Sequence, residues 1–290
     1  MYVTTPGTYR DRPTRMAAVR GSALPTEGPT PACTHARRGA PNVGTVQNVD
    51  QIPQYADERL TAELEGRCLH CEKAFGDDIV RSVDHCPSKT LLLKPYPTNL
   101  PTVPACVKCN NGFSDDEQYV RMFLECVIAG SADPDAQPDS GVRTALVRAT
   151  GLRAEIEAAM REPLFPGHPM MWVPDHRRMS NVLTKNARGH LWYEHAAHRP
   201  DPPSVGYAAL ESLNDEQREA FENPPDVSAV LPEVGTRALA RVFSGDTFAG
   251  WTFVQDGRYR FAIDHLGNGA VRVRSIISEY LATEVLWSDE

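Results

Sequence analysis

The sequence predicts an α+β fold in which two strands and a helix come first, a helical segment follows, and an antiparallel hairpin or meander ends the chain. The order strand, loop, strand, helix is indicated between residues 78 and 128. Apolar residues recur at helical spacing over 142–161 and 175–196. Near the C-terminus, two runs that alternate apolar and polar residues flank Asp256-Gly257, which is a strong signal for a β-hairpin.

The composition is that of an ordinary soluble globular protein. The 290 residues are 41% hydrophobic and 23% charged, and they suffice for one large domain or two modest ones. No run of 18 or more apolar residues occurs, so a membrane-spanning helix is excluded. The N-terminus carries arginines without an apolar segment, so we expect no secretory signal and a cytoplasmic location.

Charge is unevenly distributed along the chain. The formal net charge of -8 disfavours a general electrostatic attraction to nucleic acid. Residues 141–200, however, carry 9 Lys and Arg against 5 Asp and Glu, whereas residues 201–290 carry 7 against 15. Any phosphate-binding surface is therefore expected in the middle segment.

Three regions are expected along the chain. Residues 1–50 are rich in Pro, Gly, Thr and Arg and are predicted to be a disordered arm, because they offer little apolar surface to offset the entropy of ordering. Residues 51–130 form the module with the two strands and the helix. A stretch rich in Asp, Pro and Gly follows, and residues 141–290 are then predicted to be a C-terminal α+β domain of unknown role.

The module is predicted to begin with a short helix over residues 55–66, which ends at Gly66. The alternating run 78–85 is a predicted strand. A proline-rich loop over 94–101 leads to a second extended piece over 103–107. The two strands are therefore expected to be joined by a substantial loop.

The helix that closes the module is predicted over residues 114–128. Ser114 and Glu117 form a capping-box signature at its N-terminus. Its apolar face comprises Tyr119, Val120, Phe123, Val127 and Ile128. If Ser114 caps the helix, Asn110 lies in the turn before it.

The C-terminal region continues with elements of both kinds. A further helix is predicted in the acidic stretch 211–222, and the hairpin over 250–264 is followed by a third strand over 269–280. The segment 175–196 is expected to bury one face, on which Met179, Val182, Leu183, Ala187, His190 and Leu191 lie at helical spacing.

Four of the seven cysteines form two C-x-x-C pairs, Cys68 with Cys71 and Cys106 with Cys109. In a reducing cytoplasm this spacing favours metal ligation over disulfides. Four thiolates at about 2.3 Å suit one tetrahedral Zn²⁺, and such a closed site is structural because no position stays open for water. The remaining cysteines are expected to be ordinary thiols: Cys33, Cys86 and Cys126.

The residues between and just after these pairs resemble the HNH nuclease family. The resemblance rests on VDHCPSK, then Asn99-Leu100, then ACVKCNNGF, in that order. It is closest to the variant with a four-cysteine zinc site and asparagine in the third signature position. It covers roughly residues 66–127 and implies the ββα-metal fold of that family.

The resemblance implies a role for four residues. His85 corresponds to the general base that activates water. Asp84 and Asn110 correspond to the ligands of a catalytic divalent ion, distinct from the structural zinc. Asn99 corresponds to the asparagine that steadies the loop and orients the histidine.

Physical chemistry is consistent with these roles. Histidine has an ordinary pKa of about 6.5, which suits a base at neutral pH. A cation is needed to neutralise charge that develops on a phosphate during hydrolysis. Carboxylate and amide oxygens favour Mg²⁺ or Mn²⁺ over Zn²⁺.

Two features depart from the family pattern or leave alternatives open. Many members carry a lysine shortly after the third signature residue, whereas this chain has Phe113-Ser114 there. His70, inside the first cysteine pair, is either an alternative metal ligand or, as we favour, a solvent-facing residue.

Several basic residues are candidates for contacts with nucleic acid. Lys and Arg on a helix can bind phosphates, and an aromatic residue such as Trp192 can stack on a base. The alternative is an ordinary amphipathic helix whose basic face is solvated. The candidates are Arg81 and Lys89 near the site, and Arg177, Arg178, Lys185 and Arg188 in the helical segment.

The sequence therefore predicts a cytoplasmic endonuclease that hydrolyses DNA phosphodiester bonds with Mg²⁺ or Mn²⁺ and contains a structural Zn²⁺. Such an enzyme could serve in restriction, phage defence or mobile-element biology. RNA as a substrate and the oligomeric state are left open. The alternative is a catalytically inactive, zinc-stabilised module that binds nucleic acid or protein.

Overall fold

The computed structural model describes residues 16–17, 66–162, 170–223, 236–244, 250–267 and 269–288. The predicted arm over 1–50 lies outside the described residues, except for Met16 and Ala17. The predicted helix over 55–66 also lies outside them, except for its last residue. The described part of the chain is a mixture of helices and antiparallel strands, which confirms the α+β class.

The N-terminal part of the described chain has the expected order of elements. Strand β2 (Arg81–His85) pairs in antiparallel fashion with β3 (Thr102–Cys106), and His85 lies opposite Thr102. A short helix, α1 (Val107–Gly112), follows at once and leads into α2 (Ser114–Ala129). A 3₁₀ turn, Lys89–Leu91, lies in the long loop between the strands.

The predicted start of α2 is wrong in detail. The N-cap residue is Phe113, and no side chain caps the helix. Ser114 is already helical, and the Glu117 side chain accepts a hydrogen bond from Ser88 instead of closing a capping box. Asn110 lies within α1 and not in a turn before a helix.

The predicted helix over 142–161 is divided into two. Helix α3 (Ser140–Arg148) and helix α4 (Thr150–Ala158) meet at Ala149, whose ψ of 65° is not helical. A small sheet follows, in which β5 (Met171–Trp172) pairs with β4 (Met160–Arg161) on one side and with β1 (Met16–Ala17) on the other.

Helix α5 (His176–His195) agrees with the prediction for 175–196 and is the longest described helix. Its N-cap is Asp175, whose side chain accepts a hydrogen bond from the Arg178 amide. The helix contacts α2 and β3 on one side and the C-terminal strands on the other. One hydrophobic core therefore includes side chains from α2, α5 and the C-terminal sheet.

The C-terminal sheet has five antiparallel strands, which are hydrogen-bonded in the order β6 (Ser204–Ala209), β10 (Leu281–Trp287), β9 (Ala270–Ile277), β8 (Tyr259–Gly267) and β7 (Thr252–Gln255). The predicted hairpin and third strand are confirmed. Two strands were not predicted: the first, β6, and the last, β10.

Two short helices lie next to this sheet in sequence. Helix α6 (Asp215–Glu222) lies in the acidic stretch where a helix was predicted, and Asn214 and Gln217 form its capping box. Helix α7 is Arg237–Phe243. No helix in the described ranges is long and apolar enough to cross a lipid bilayer.

Helix α5 approaches the end of β2 closely at Gly189. The Cys86 thiol donates to the carbonyl of Asn186 at 3.3 Å and lies 3.3 Å from Nδ1 of His190. The other ring nitrogen of His190 lies 3.0 Å from the hydroxyl of Tyr259 on β8. This chain of polar contacts joins β2, α5 and the C-terminal sheet within the interior.

We expect Gly189→Ala to destabilise the protein. A Cβ at this position would lie 2.5 Å from the Cys86 sulfur, so the helix or the strand end must shift. Overpacking of this kind costs about 1–3 kcal/mol. Chemical denaturation would measure the loss in the free energy of unfolding.

Gly151→Ala is the matched control for this substitution. Gly151 is also helical, and nothing lies within 4 Å of an added Cβ. Replacing a helical glycine by alanine in open space is neutral or stabilises by up to about 1 kcal/mol. Equal effects of the two substitutions would contradict the close approach of α5 to Cys86.

We also expect the free energy of unfolding to fall with acid because of His190. Burial, together with the nearby Lys185 charge, lowers the pKa of His190 to about 3. In the unfolded chain its pKa is about 6.5, so between these values the unfolded state binds a proton that the folded state does not. Stability is thus fully present above about pH 6.5 and is lost as the pH falls towards 3.

Urea denaturation between about pH 5 and about pH 7.5 tests this effect, since one such histidine contributes a slope of about 1.4 kcal/mol per pH unit in the acid range. His190→Asn is expected to have a shallower slope than the wild type. Identical slopes would show that His190 does not govern the acid dependence.

Candidate functional site

The four paired cysteines converge although 34 residues separate the two pairs in sequence. The sulfur atoms of Cys68, Cys71, Cys106 and Cys109 all lie within 4.8 Å of one another. The Cys71 and Cys106 sulfurs are 3.9 Å apart, close to the roughly 3.8 Å expected for two thiolates on a tetrahedral Zn²⁺. This four-cysteine cluster can hold a metal such as zinc.

Backbone hydrogen bonds hold the first cysteine pair against the strands. The Cys68 amide donates to the Lys73 carbonyl at 3.0 Å, which closes the first turn. The Leu69 amide donates to the Pro104 carbonyl at 2.9 Å and so fastens this turn to β3. The four-cysteine cluster therefore connects the start of the described module to its strands.

The second cysteine pair lies where β3 passes into α1. The Cys106 sulfur is the N-cap of α1 and accepts a hydrogen bond from the Cys109 amide at 3.4 Å. Burial opposes ionisation of Cys106, but this amide and the neighbouring thiols lower its pKa to about 7. A thiolate is the form that binds a metal, so Cys106 is the thiol that ionises readily, whereas burial raises the pKa values of Cys68 and Cys109.

Asp84 is buried, with 4% of its surface exposed. One carboxylate oxygen lies 2.8 Å from the Lys185 ammonium and the other lies 3.0 Å from Nε2 of His70. Burial acts to raise the pKa of Asp84, but the His70 hydrogen bond and the Lys185 charge together lower it below its usual range. Both oxygens of this carboxylate are therefore already engaged.

Lys185 lies at the centre of this group of residues. Its ammonium contacts the Glu117 carboxylate at 2.5 Å and the Ser88 hydroxyl at 2.8 Å, in addition to Asp84. An ammonium has three donors, so all three are used. We call Asp84, Ser88, Glu117 and Lys185 the Lys185 cluster.

The prediction that His70 faces solvent is wrong. Its side chain is 3% exposed, donates from Nε2 to the Asp84 carboxylate, and packs edge-on against Phe113 with ring centroids 4.8 Å apart. The Nδ1 atom of His70 is buried without a hydrogen-bond partner. His70 thus connects the first cysteine turn to the Lys185 cluster.

His85 ends β2 next to Asp84 and is partly exposed. Burial of the ring, followed by the charge of Lys89, lowers the pKa of His85 below 6.5. The imidazole is therefore neutral at pH 7, which is the form that accepts a proton. This protonation state is the one that a general base requires.

The two asparagines lie on either side of β3 in sequence and have different surroundings. The Asn110 amide nitrogen donates to the Ser82 hydroxyl and to the Val83 carbonyl, each at 3.0 Å, so it fastens α1 to β2. Asn99 lies half-buried in the loop before β3. Next to it, the Pro101 carbonyl accepts a hydrogen bond from the amide of Cys86 at 2.9 Å, which holds this loop beside the strand end. The role of Asn99 in orienting His85 stays a prediction.

Asp84, one of the two residues implied as ligands of a catalytic divalent ion, does not fit that ion in this arrangement. Mg²⁺ and Mn²⁺ need oxygen ligands that are open to the ion. The oxygens of Asp84 are held by Lys185 and His70. The nearest cation to this carboxylate is the Lys185 ammonium.

The arginines of α5 differ in how much charge they present to solvent. The Arg177 side chain is 71% exposed and lies 3.6 Å from Asp116. Arg178 packs over the Tyr119 ring and pairs with acidic groups around it. Arg188 donates to three backbone carbonyls between residues 199 and 201. Arg177 is therefore the α5 arginine best placed for an external phosphate.

The predicted nucleic-acid contact at Lys185 is wrong, because this side chain is 3% exposed and is surrounded by its own cluster. Trp192 is also buried, at 9%, so it does not offer a free face for stacking. Arg81 and Lys89 are exposed, and their charged groups lie over the rings of Phe75 and Tyr96 respectively. These two side chains remain candidates for phosphate contacts.

Fold and site together define an α+β protein with a four-cysteine cluster that can hold a metal such as zinc. The chain shows no significant match to a protein-family model, to a curated protein or to a solved structure.

Sequence reasoning missed the Lys185 cluster because its members are far apart along the chain. One signal was available: Lys185 lies three residues after Val182 and two before Ala187, close to the predicted apolar face of α5. A lysine on such a face needs an acidic partner in the interior. The sequence does not indicate which acid that is.

We expect one thiolate-bound metal such as zinc per chain, and its loss in Cys106→Ser. The four-cysteine cluster joins the first turn to β3 and α1, and structural zinc sites contribute on the order of 10 kcal/mol to folding. Removing one ligand should therefore also lower the unfolding temperature. Elemental analysis and thermal unfolding measure the two effects.

Cys126→Ala is the matched control, because Cys126 is a buried free thiol outside the four-cysteine cluster. This variant should keep a full complement of metal. Protein that is purified without chelators and contains no metal would contradict the ligand assignment. So would an unchanged metal content in Cys106→Ser.

Proposed function

We propose that this protein is an endonuclease that hydrolyses DNA phosphodiester bonds, with His85 as the general base and a zinc ion in the four-cysteine cluster. The observation that carries the proposal is the position of a neutral histidine at the end of β2, within a strand pair that the four-cysteine cluster holds against a helix. The HNH-like motif order supports the same activity.

The role proposed for His85 follows from its protonation state and position. A neutral imidazole can take the proton of a water molecule that attacks phosphorus. The strand pairing and the hydrogen bonds from Asn110 fix the backbone that carries His85. The base is therefore held on a rigid support, as proton transfer requires.

The exposed basic residues supply a proposed path for the DNA backbone. Arg81 lies on the same strand as His85, and Lys89 lies four residues beyond it. Both carry positive charge at the surface, where phosphates are attracted. Arg177, at the start of α5, is a third exposed candidate for a phosphate contact.

We assign no catalytic role to the divalent ion that the sequence motifs imply. Asp84 is not open to an ion in this arrangement, because Lys185 and His70 engage both of its oxygens. What the chain's own residues provide is the base, the support of that base and the surface charge.

A second function is favoured by a specific observation. The Asp84 carboxylate, which would have to bind a metal in a nuclease of this kind, is fully engaged by Lys185 and His70. A zinc-stabilised module that binds nucleic acid or protein without turnover agrees with that engagement. The endonuclease needs His85 for turnover, whereas the binding module does not need it.

Supercoiled plasmid distinguishes the two functions. We expect the purified zinc-loaded protein to nick the plasmid, and His85→Ala to lower the rate at least about 100-fold, because general-base catalysis typically contributes 10²–10⁴-fold. Reactions with Mg²⁺, with Mn²⁺ and without added divalent ion should be compared by gel electrophoresis.

His176→Ala is the matched control for loss of a histidine. His176 is exposed at the start of α5 and contacts Tyr207 instead of the site residues. This variant should nick like the wild type. Equal nicking by wild type and His85→Ala would indicate a contaminant, and absence of nicking in every buffer would favour the binding module.

A further inference from the structure

Two lysines lie near His85, and they differ in what their charges face. The Lys185 ammonium is buried and is neutralised by the two carboxylates of its cluster. Lys89 is exposed, and no carboxylate in the part of the chain that the structure describes forms an ion pair with it. Its ammonium lies 5.6 Å from the centroid of the Tyr96 ring. The charge of Lys89 is therefore available to an external anion.

The backbone at Lys89 is held in place although its side chain is exposed. Lys89 begins the 3₁₀ turn that ends at Leu91, and Leu91 is fully buried. Ser88 precedes this turn, and its amide donates to the side chain of Asn186 on α5 at 3.0 Å. The ammonium is therefore attached to a fixed turn, four residues after His85.

The charge of Lys89 acts directly on the His85 ring. After burial, it is the largest contribution to the lowered pKa of His85, ahead of the charges of Asp84 and Lys185. Electrostatic interaction weakens with distance, so the order of these contributions agrees with a position of Lys89 close to the ring. An anion bound by Lys89 would thus lie beside the imidazole.

Arg81 is a second exposed cation on the face of β2 that carries His85. Alternate residues of a strand face the same side, so Arg81, Val83 and His85 share a face, and each is more exposed than Asp84. Four residues at about 3.3 Å each place Arg81 roughly 13 Å from His85 along the strand. Arg81 therefore suits a phosphate further along the DNA, and Lys89 suits the one beside His85.

We infer that Lys89 binds the phosphate that is attacked beside His85, and that hydrolysis proceeds without a catalytic divalent ion. Asp84 is the charged ligand that the sequence motifs imply for such an ion, and Lys185 and His70 hold both of its oxygens. Phosphodiester hydrolysis still needs positive charge at the phosphate, and Lys89 supplies it from the chain itself. The inference rests on the proposed endonuclease function and specifies how its site binds the substrate.

The reaction then needs only a water molecule and the side chains of His85 and Lys89. The water oxygen bonds to phosphorus as the bond between phosphorus and one ester oxygen breaks. His85 takes one proton from that water and later releases it to solvent, and the departing oxygen takes one proton from solvent. Lys89 transfers no proton, and its charge stabilises the negative charge that develops on the phosphate oxygens.

The first test is nicking of supercoiled plasmid by zinc-loaded protein, in buffer freed of divalent ions with a chelating resin. Wild type is expected to nick at the same rate with and without added Mg²⁺. Lys89→Met is expected to lower kcat about 100-fold, as loss of one preorganised donor to a developing oxyanion typically does. Lys89→Arg keeps the charge and should retain more activity than Lys89→Met. Zinc content is measured before and after the reaction, so that loss of zinc from the four-cysteine cluster is detected.

Two further variants separate this role from a general effect of surface charge. Lys94→Met removes an exposed lysine from the same loop and should nick like wild type. Arg81→Met is expected to raise KM with little change in kcat, because Arg81 faces a phosphate that is not attacked. An unchanged unfolding temperature shows that a variant is folded, and Lys89→Gln replaces Lys89→Met if that variant is not.

The second test measures DNA binding without turnover, in a His85→Ala background and without divalent ions. Each phosphate contact contributes about 0.9 to the slope of log affinity against log salt concentration. Adding Lys89→Met is expected to reduce the slope by that amount. Adding Lys94→Met should leave the slope unchanged.

The outcomes distinguish this inference from the endonuclease proposal. Nicking that requires added Mg²⁺ or Mn²⁺ overturns the inference and leaves the endonuclease proposal standing. Nicking without divalent ions at the wild-type rate in Lys89→Met also overturns the inference alone, as does an unchanged salt slope. Absence of nicking in every buffer overturns the endonuclease proposal, and the inference with it.

Discussion

The ion pair between Asp84 and Lys185 is the contact on which the arrangement of this protein depends. It joins β2, which carries His85, to α5, which packs on the C-terminal sheet. A buried carboxylate without a cation is costly, and removing one partner of such a pair typically costs about 3–5 kcal/mol. The pair therefore specifies how α5 is placed on the strands, whatever its net contribution to stability.

The four-cysteine cluster and the Lys185 cluster hold the same pair of strands at different points. The cysteines join the first turn to the C-terminal end of β3. Lys185 holds the opposite end of the β2–β3 strand pair through Asp84. His70 lies between them, since it belongs to the first cysteine turn and contacts Asp84. Loss of metal from the four-cysteine cluster is therefore expected to disturb the Asp84 carboxylate. Through the ion pair with Lys185, it would also disturb the position of α5.

Local signals in the sequence predicted those elements whose residues have a strong helical or alternating period. They failed for elements that only tertiary contacts specify. The hairpin around Asp256-Gly257 and the helix over 175–196 follow from alternation and helical spacing, which are properties of neighbouring residues. The strands β6 and β10 were missed, because only the pairing of β10 with β6 and with β9 makes them evident.

The candidate site shows the same division. The convergence of the four cysteines follows from the C-x-x-C spacing, because two such pairs share one ion most simply. The engagement of Asp84 does not follow, because it depends on a lysine about 100 residues away. The capping box at Ser114 was a plausible local pattern, but Glu117 finds a stronger electrostatic partner in Lys185.

The position of α5 has a consequence for how this architecture can be reused. The stretch with the HNH-like motif contains two inward-facing acids, Asp84 and Glu117. The lysine that neutralises them, Lys185, belongs to a distant part of the polypeptide. Grafting that stretch alone onto another scaffold would leave its interior with excess negative charge. Recombination that conserves the strands therefore has to conserve α5 as well, or replace its ammonium by an ion.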